Sequence, residues 1–581
     1  MTGTDPAAAR LGEERPPRRL RSRWVVQATL ELATAAHIGG AQEDSTLDAP
    51  ILRVRGQPLL TGTSLGGALR SHLADVLGGY GSGEDPHVQR LFGMPLGTAE
   101  EAEDKPGEQS PLAVFDAVGN LPAGATTEIR DGVTITPAAG TAAEHLKFDH
   151  ELLPPGTTFD LRFDLLAPEP RGEAGEADLL GLLLAALAGL RAGGVTVGAR
   201  GSRGLGAVRT RSWQAHRFDL TGTAGWLAWL GSDHGTPIPP GSPAAPGPAG
   251  AIRHAAPGLT VTPPADRRRR VVIEADLAVR GGLLVRSPPT DPAAPDAGHL
   301  TSGDRSILPG TSLAGALRTR LLRIARLVRD PHGDADRWVE NLLGPRPQPG
   351  RRDDAVPLWA ARLRVAERPL HAGRRVRTSR IRIDRFTQGV VPGALFDEEP
   401  HDGGDLRVRL ELREPEPGEL GLVLLCLKDL LDGDLPLGGT AAAGRGTVTG
   451  TATVRLDGGA TLSLGPGGPA IRTASPSPTS SSASSTRPRP VPSRRRARPE
   501  ERDELARPGA AGELHDRTAR QPRLPGRPGT PSRRPARAGR PGRAVAARPP
   551  RRRGGLGPPQ PRRRLATVRR RLPEGLATAC R

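Results

Sequence analysis

The chain has 581 residues, a formal net charge of +19 at neutral pH, and only two cysteines. Cys426 and Cys580 are too few for a disulfide framework or a cysteine-based zinc site, which fits a reducing cytoplasm. Residues 1–23 carry no apolar segment of a secretory signal, and the longest apolar run, residues 179–190, is too short to cross a bilayer. We therefore expect a soluble cytoplasmic protein without a membrane partner.

The positive charge is concentrated at the C-terminal end. Residues 471–581 contain 29 arginines, no lysine and 7 acidic residues, so the rest of the chain is slightly acidic. A segment so poor in large apolar residues cannot offset the entropy lost on ordering, and we predict a disordered, low-complexity tail over 457–581. Two interpretations stay open: a basic arm that binds RNA or DNA by releasing counterions, or an out-of-frame extension of a GC-rich gene.

In chain order, the first predicted elements are a strand and a helix. After a disordered N-terminus over 1–22, residues 23–32 are rich in strand-forming side chains and predict an opening strand. A loop that carries Asp48 follows. Leucines at every fourth position from Leu65 to Leu77 then mark one face of a helix, with threonine or serine near Gly62 as its N-cap.

The next elements complete a recognisable order. Residues 158–165 alternate between apolar and polar, which predicts a strand, and the leucine-rich run 179–190 predicts a second helix. A glycine-rich loop from Gly198 to Gly206 leads into a last strand. Strand, helix, strands, helix, strand is the ferredoxin-like order, so we predict an α+β domain over 23–215.

The same motifs recur further along the chain. The sequence of Thr61–Arg70, TGTSLGGALR, returns as PGTSLAGALR in Pro309–Arg318, an offset of 248 residues. Asp48 and Asp296 keep the same offset. Self-similarity of this kind indicates two copies of one structural unit.

Two further motifs define the extent of the duplication. Phe148-Asp149 recurs as Phe396-Asp397, and the glycine-rich loop recurs at Gly438–Gly446 with an offset of 240. We predict a second domain over 269–456, connected to the first by a Pro/Gly-rich linker over 216–268.

The shared order of these motifs resembles the RAMP superfamily of CRISPR-associated proteins. More narrowly, it is similar to the backbone subunits of type III effector complexes. The resemblance rests on the helix start GTSLxGALR, on Leu-Phe-Gly at 91–93 and Leu-Leu-Gly at 342–344, on the Phe-Asp segments and on the glycine-rich loops. It covers residues 23–456 except for the predicted linker.

This resemblance implies two tandem ferredoxin-like, RRM-like RAMP domains that bind a CRISPR guide RNA in antiviral defence. Implied partners are target RNA and the other subunits of a type III complex. Family members grip the guide backbone and insert a thumb hairpin between bases of the guide–target duplex. Fusing two units makes their association intramolecular.

The resemblance also implies catalytic residues. In type III backbones an aspartate after the first strand is needed for metal-dependent cleavage of target RNA, and Asp48 matches it in Ile38-Gly-Gly…Asp48-Ala-Pro. Asp296 is the counterpart, within a segment that has lost the Ile-Gly-Gly and the proline. We take Asp48 and Asp296 as catalytic candidates. Asp48 is the candidate ligand of Mg²⁺ or another divalent cation, whose coordination RNA phosphate would complete. A solvated turn former is the alternative for either aspartate.

Helix starts and glycine-rich loops are candidate phosphate sites, because free N–H groups and the helix dipole attract anions. A capped helix packed on its sheet, or an ordinary turn, is the alternative. The chain has few aromatic residues, so stacking of bases on aromatic platforms is not the expected grip. The candidate RNA-binding residues are Gly62, Ser64, Gly67, Arg70, Gly198, Arg200, Arg203, Gly204 and Gly206 in the first copy, and Gly310, Ser312, Gly315, Arg318, Gly438, Gly444, Arg445 and Gly446 in the second.

Two other functions compete with a cleaving backbone. In one, the chain is a non-catalytic scaffold that only binds and spaces the guide RNA. In the other, it is a RAMP endonuclease that matures the guide precursor, which would use a histidine or tyrosine as general base. With one tyrosine, Tyr80, and no paired histidines, the sequence favours this last function least.

Overall fold

The computed structural model describes residues 19–40, 47–83, 85–94, 109–136, 142–169, 175–288, 293–329, 334–345, 359–457, 459–465 and 468–472. The predictions for the N-terminus up to residue 18 and for the tail beyond residue 472 lie outside these ranges. Residues 20–22, which were predicted to be disordered, instead belong to the first strand, and Ser22 is buried. Within the described ranges, no helix is both long and apolar enough to span a membrane.

The first repeat is built from nine strands and three helices within its described part. They are β1 (Leu20–Leu32), β2 (Arg53–Val54), β3 (Gln57–Leu60), α1 (Gly62–Gly78), α2 (Pro86–Phe92), β4 (Leu112–Val114), β5 (Ala117–Asn120), β6 (Glu128–Ile135), β7 (Ala142–Leu152), β8 (Thr158–Pro168), α3 (Glu176–Ala192) and β9 (Val208–Asp219).

Two helices, α4 (Thr223–Leu230) and α5 (Pro248–Ala255), precede the second repeat. Its strands and helices are β10 (Arg270–Arg280), β11 (Gly282–Leu283), β12 (Arg286–Ser287), β13 (Ala297–His299), β14 (Thr301–Ser302), β15 (Arg305–Leu308), α6 (Gly310–Arg329), α7 (Ala335–Leu343), β16 (Leu363–Val365), β17 (Arg368–Pro369), β18 (Arg374–Arg375), β19 (Thr378–Ile383), β20 (Val390–Glu399), β21 (His401–Asp402), β22 (Asp405–Arg413), α8 (Glu419–Asp432), β23 (Thr447–Arg455), β24 (Thr461–Gly465) and β25 (Gly468–Arg472).

Both repeats share one sheet order. In the first, β1 lies between β8 and β9 and is antiparallel to both, and β4 pairs with the far side of β8. In the second, β10 lies between β22 and β23, and β16 pairs with β22. In chain order, a long helix follows the first of these four strands and another follows the third. These helices are α1 and α3 in the first repeat and α6 and α8 in the second. The prediction of a mixed fold of helices and antiparallel sheets, in tandem, is confirmed.

Each repeat has its own apolar core between sheet and helices. In the first, alternate residues of β1 from Trp24 to Leu32 are buried against the leucines of α1 and α3. The second repeats this packing between β10, α6 and α8. Period-two burial on the strand and the leucine stripe on the helix are therefore two sides of the same core.

Residues 216–268 differ from the linker that their composition predicts. Strand β9 continues to Asp219, and Ile252 of α5 is buried in the core of the first repeat. Trp229 of α4 packs on Phe218, with ring centroids 5.1 Å apart. Proline and glycine suggested a flexible connection, but these apolar side chains fold the segment onto the first domain.

The second sheet also extends past the predicted domain end at residue 456. Strand β24 pairs with β23, and β25 pairs with β24 as far as Arg472. The described part of the chain thus contains two strands within the range predicted as tail.

A hairpin projects from each repeat. The first hairpin is β6 with β7, and the second hairpin is β19 with β20. In the first, Arg130 lies opposite His150; in the second, Thr378 lies opposite Glu398.

Tyr80, the only tyrosine, lies between the two repeats. The guanidinium of Arg413 is 4.3 Å from the centre of its ring and that of Arg268 is 5.9 Å away. Its hydroxyl donates to Glu411 at 3.4 Å. Burial raises the pKa of Tyr80, so the phenol is neutral at neutral pH. Tyr80 is therefore part of the contact between the repeats, where its ring and hydroxyl are already engaged.

Candidate functional site

Three segments that are distant in sequence meet at the base of the first hairpin. The segment that follows β1 bridges the glycine-rich loop through His37 and Ala199. The aspartate loop bridges β7 through Ala49 and His150. Backbone pairing of this kind fixes the aspartate loop against both the hairpin and the glycine-rich loop.

Asp48 is exposed and hydrogen-bonded to Asp149 in both directions. The backbone N–H of Asp48 donates to Oδ1 of Asp149 at 2.9 Å, and the N–H of Asp149 donates to Oδ2 of Asp48 at 2.9 Å. Each carboxylate therefore accepts the backbone N–H of the other residue, with Asp48 exposed and Asp149 partly buried. The motif search had identified Asp149 only as part of the Phe-Asp segment.

The second repeat keeps a hydrogen bond between the aspartate loop and the hairpin, but the charges around it differ. The N–H of Asp397 donates to Oδ2 of Asp296 at 2.8 Å, across the same 101 residues of chain that separate Asp48 from Asp149. However, the carboxylate of Asp397 also accepts two hydrogen bonds from Arg377, at 3.1 and 2.7 Å. Hydrogen bonds from Ser379 and Arg377 lower the pKa of Asp397. The second carboxylate of this repeat is thus neutralised by an arginine.

Glu151 anchors the aspartate loop of the first repeat. It accepts hydrogen bonds from the N–H of Ile51 at 3.1 Å, from Nη1 of Arg53 at 2.9 Å and from Thr127 at 2.6 Å. Burial opposes its charge, but these three donors together lower the pKa of Glu151 to about 2. An ionised Glu151 at neutral pH therefore connects the loop to the hairpin.

Two histidines pack at this site. Nδ1 of His37 is 2.8 Å from the carbonyl oxygen of Glu151, and the ring of His150 stacks on Phe148 with centroids 5.8 Å apart. Burial first, and then the charge of Arg200, lower the pKa of His150 to about 4. Within the described ranges, no group of three or more His, Cys, Asp or Glu side chains forms a metal site. A cation at Asp48 and Asp149 would need further ligands, which RNA phosphate and water supply in such sites.

Side chains of the same repeat already cap the N-terminus of α1. The N–H of Gly62 donates to Oδ1 of Asp116 at 2.7 Å, and that of Ser64 donates to Oγ1 of Thr61 at 3.2 Å. A Cβ atom at Gly62 would lie 2.0 Å from the carbonyl oxygen of Val114. At Gly62 and Ser64 the geometry matches the alternative of a capped helix that packs tightly on its sheet.

Gly67 and Gly315 occupy the same exposed position on α1 and α6. A Cβ atom at either residue would have no neighbour within 4 Å in the described structure. Glycine in a helix interior costs about 0.5–1 kcal/mol relative to alanine, and packing within the described chain gives no reason to retain it. Both copies therefore leave an open surface that a sugar-phosphate backbone can approach closely.

Arg70 and Arg318 hold the end of the following helix. Nη1 of Arg70 is 3.4 Å from the carbonyl oxygen of Phe92, the last residue of α2. Nη2 of Arg318 donates to the carbonyl oxygens of Leu343 and Gly344, at 2.7 Å each. Cations favour helix C-termini, so these contacts stabilise α2 and α7.

Arg203, Gly204 and Gly310 lie in the contact between the repeats. Nη2 of Arg203 donates to the carbonyl oxygen of Leu343 at 2.7 Å. A Cβ atom at Gly204 would be 1.9 Å from the backbone nitrogen of Glu367, and one at Gly310 would be 2.0 Å from the carbonyl oxygen of Arg203. The predicted phosphate nest of the first loop and the predicted phosphate site at α6 thus pack against each other.

The other loop glycines support tight turns. Cβ atoms at Gly198 and Gly206 would lie 2.1 Å and 1.9 Å from carbonyl oxygens, and those at Gly438 and Gly446 would lie 2.5 Å and 2.0 Å from carbonyl oxygens. All four have positive φ, which other residues adopt only with strain. At Gly444, by contrast, the space around a Cβ atom is open.

Three further candidates complete the set. Arg200 is exposed, and its guanidinium lies 4.7 Å from the centre of the ring of Phe148, the residue before Asp149. The N–H of Ser312 donates to the carbonyl oxygen of Pro309 at 3.1 Å. Arg445 is largely buried and pairs with Glu398 at 2.6 Å. Of the loop arginines, Arg200 is the one placed at the surface.

Both repeats match one known protein family. A family model of the RAMP superfamily matches residues 29–209 and 297–449, which together exceed half of the chain. The chain belongs to the RAMP superfamily. No curated relative matches its sequence. RAMP proteins are CRISPR-associated, and the match supports a chain with two RAMP repeats that binds RNA as part of a larger complex.

Both RAMP repeats expose apolar side chains on their hairpins, a feature that the motif search did not single out. Val133 and Ile135 of the first hairpin are half exposed, and Ile381 and Ile383 occupy the equivalent positions of the second. At the turn of the second hairpin, Phe386 is 82 % exposed. The available signal in the sequence was the apolar residues at alternate positions, Val133 with Ile135 and Ile381 with Ile383.

Proposed function

We propose that this chain is a guide-RNA-binding backbone subunit of a type III CRISPR effector complex in antiviral defence. Each repeat is a ferredoxin-like domain that covers one step of the guide, and the first repeat cleaves bound target RNA with Asp48 as its catalytic residue. The observation that carries the proposal is the pair of Asp48 and Asp149, held by reciprocal hydrogen bonds in a RAMP repeat.

The chemistry of the pair suits a divalent cation that RNA helps to bind. Mg²⁺ binds oxygen ligands, retains several waters and relies on substrate phosphates, so one or two carboxylates are enough protein ligands. When bound, such a cation stabilises charge on the phosphate that reacts. The part of the protein is to hold Asp48 in place: Glu151 fixes the loop on one side and the N–H of Asp149 fixes the carboxylate on the other.

Three surface features of the repeats support RNA as the ligand. Gly67 and Gly315 leave room for a sugar-phosphate backbone on two helices that have the same position in the fold. Arg200 places an exposed positive charge on Phe148, next in sequence to Asp149, and the exposed apolar residues of the hairpins fit contact with bases. The two repeats in one chain would cover two successive steps of the guide.

A non-catalytic scaffold is the second candidate, and one observation favours it. Asp48 and Asp296 both accept the N–H of an aspartate on the hairpin, so each has a structural reason to be present. Under this alternative the two aspartates fix the hairpins, and another subunit cuts the RNA.

The deciding experiment compares Asp48→Asn with the matched Asp296→Asn in a reconstituted guide-loaded complex with Mg²⁺. Asparagine keeps an oxygen that can accept the hydrogen bond from the hairpin and removes the charge. Asp48→Asn should slow a defined subset of cuts by roughly 100-fold, the scale on which a single charge-stabilising group acts, with RNA binding unchanged. Asp296→Asn should leave this subset intact.

The outcomes separate the two candidates. If both variants and the double variant cut like wild type, Asp48 has no catalytic role and the chain is a scaffold. If guide RNA fails to bind to the wild-type complex, the backbone assignment itself is wrong.

A further inference from the structure

The two repeats are joined by a buried polar contact. Nη1 of Arg130, on the first hairpin, donates to Oε2 of Glu367 at 2.7 Å, and the two side chains are only 7 % and 4 % exposed. Nη2 of Arg130 also pairs with Glu128 at 2.9 Å. Oε1 of Glu128 in turn accepts the hydroxyl of Ser302 at 3.0 Å and the N–H of Gly303 at 2.8 Å. We refer to the contact of Glu128 and Arg130 with Ser302, Gly303 and Glu367 as the joint.

The charges of the joint compensate one another. Burial disfavours the charged form of Arg130, but Glu367 and then Glu128 outweigh it and raise the pKa of Arg130. Burial raises the pKa of Glu367, and the ion pair works against that rise. The short contact with Glu367 and the second acid, Glu128, keep Arg130 charged. Removal of either Arg130 or Glu367 would leave the other as an uncompensated buried charge.

The donor side of the joint is not repeated on the second hairpin. The register places Thr378 where the first hairpin has Arg130, because Thr378 pairs with Glu398 as Arg130 pairs with His150. Two residues earlier, Val376 replaces Glu128. The glycine-rich loop also differs, with Ala443 where the first loop has Arg203. Glu128, Arg130 and Arg203, three polar side chains that the first repeat extends to the second, are therefore replaced by Val376, Thr378 and Ala443 at the other end.

The first repeat also lacks equivalents of Ser302, Gly303 and Glu367, the residues that the second repeat contributes to the joint. The turn of Ser302 and Gly303 corresponds to Val54 and Arg55, and Arg55 is exposed. Asp116 stands in place of Glu367, but its carboxylate already accepts the N–H of Gly62. A second copy that approached this edge with its second hairpin would bring Val376 and Thr378, in place of Glu128 and Arg130, towards Val54 and the exposed Arg55. The ion pairs and hydrogen bonds of the joint would not form there, which disfavours such a contact.

We propose that the joint is a specificity determinant that works only within the chain, so that two copies of this protein do not stack end to end. The protein that follows the second repeat in an assembly is then an unlike subunit. Gly444 leaves room for its backbone, at the position where Gly204 is packed against Glu367 inside the chain. Head-to-tail contacts between identical units otherwise extend into open filaments. This inference goes beyond RNA binding and does not depend on it.

The test measures the mass of the RNA-free full chain by sedimentation over a wide concentration range. Wild type should remain at 61.0 kDa. A graft variant with Val376→Glu, Thr378→Arg, Val54→Ser and Arg55→Gly copies four of the five residues of the joint to the free ends, with Asp116 in place of Glu367, and should form oligomers that grow with concentration.

Two half-grafts serve as controls. The variant with only the two hairpin changes and the variant with only the two turn changes should each remain monomeric, and their mixture should give a heterodimer. A graft that stays monomeric would show that these residues do not specify the contact and would overturn the proposal. It would also be overturned if wild type formed oligomers that Gly444→Trp dissociates. Oligomers that Gly444→Trp leaves unchanged use another surface and uphold the proposal.

Discussion

The two repeats place an aspartate in the same backbone frame and surround it with different charges. In the first, Asp48 lies beside Asp149, with neutral His150 as the next residue of the hairpin. In the second, Asp397 is paired with Arg377, and Glu398 takes the place of His150. Duplication has thus preserved the hydrogen bond that fixes the loop while the electrostatics of the site diverged.

A buried ion-pair network takes the place of the neutral ring in the second repeat. Glu398 is 2 % exposed and pairs with Arg445 at 2.6 Å, with Arg286 at 3.2 Å and with Arg380 at 3.3 Å. These three arginines neutralise Glu398 and hold it in one arrangement, and together they leave an excess of positive charge. This difference in charge is the reason that the proposed cleavage is placed in the first repeat.

The largest expected effect concerns the joint. Arg130→Ala leaves Glu367 buried without its partner and should lower the free energy of unfolding by about 3–5 kcal/mol. The matched change in the second repeat, Thr378→Ala, should cost within about 0.5 kcal/mol, since it leaves no buried charge. Urea unfolding of both variants checks the difference. Equal losses of unfolding free energy in the two variants would show that the two hairpins stabilise the protein equally, and would contradict the prediction.

Glu151 should have the next largest effect. Glu151→Gln weakens three hydrogen bonds to a charged group, so we expect a loss of about 1.5–3 kcal/mol. Its counterpart Glu399 is 3.8 Å from the half-exposed Arg375, and Glu399→Gln should cost less than about 1 kcal/mol. Urea unfolding at neutral pH compares the two variants.

The same carboxylate has a signature in pH. The pKa of Glu151 is lowered to about 2 from an ordinary value of 4.5, so its contribution to stability is complete above about pH 4.5. This contribution is lost as the pH falls towards about 2. The stability difference between wild type and Glu151→Gln should therefore shrink over that range, and a difference independent of pH would contradict the anchoring role.

Arg377→Ile tests whether charge alone separates the two sites. The register gives Ile129 as the equivalent residue of the first repeat, and the change frees the carboxylate of Asp397. The guanidinium no longer competes with a cation for this carboxylate, so divalent-cation affinity at the second site should rise by about tenfold. Titration with Mn²⁺, with Arg377→Lys as the control that retains the charge, measures the gain.

The smallest expected effect is at the open glycines. Gly67→Ala and Gly315→Ala should each stabilise the free protein by about 0.5–1 kcal/mol, because alanine restricts the unfolded chain and fits an empty surface. RNA affinity should fall in the same variants. Gly62→Ala is the contrasting control and should destabilise, since its Cβ atom meets the carbonyl oxygen of Val114. Thermal unfolding measures the gain in stability, and an RNA-binding assay measures the loss of affinity. A gain in stability without a loss of affinity would show that this surface does not bind RNA.

The sequence predicted the repeated elements well because their signals are local. Strand β1 and helix α1 carry period-two and leucine-stripe patterns, and both formed as expected. The partners of Asp48 and Arg203 could not be read in this way. Asp149 lies 101 residues from Asp48 and Leu343 lies 140 residues from Arg203. Contacts over such separations depend on the tertiary arrangement, and a glycine-rich loop suits a phosphate and a neighbouring backbone equally well.

Tyr80 gives the boundary between the repeats an optical signal of its own. Because it is the only tyrosine in 581 residues, the ultraviolet absorbance of tyrosinate in an alkaline titration reports on a single phenol. Burial raises the pKa of that phenol, so the folded chain should ionise above the usual value near 10. Any event that separates Tyr80 from Arg413 and Glu411 would change this titration. The relative motion of the two repeats can therefore be followed in solution without a label.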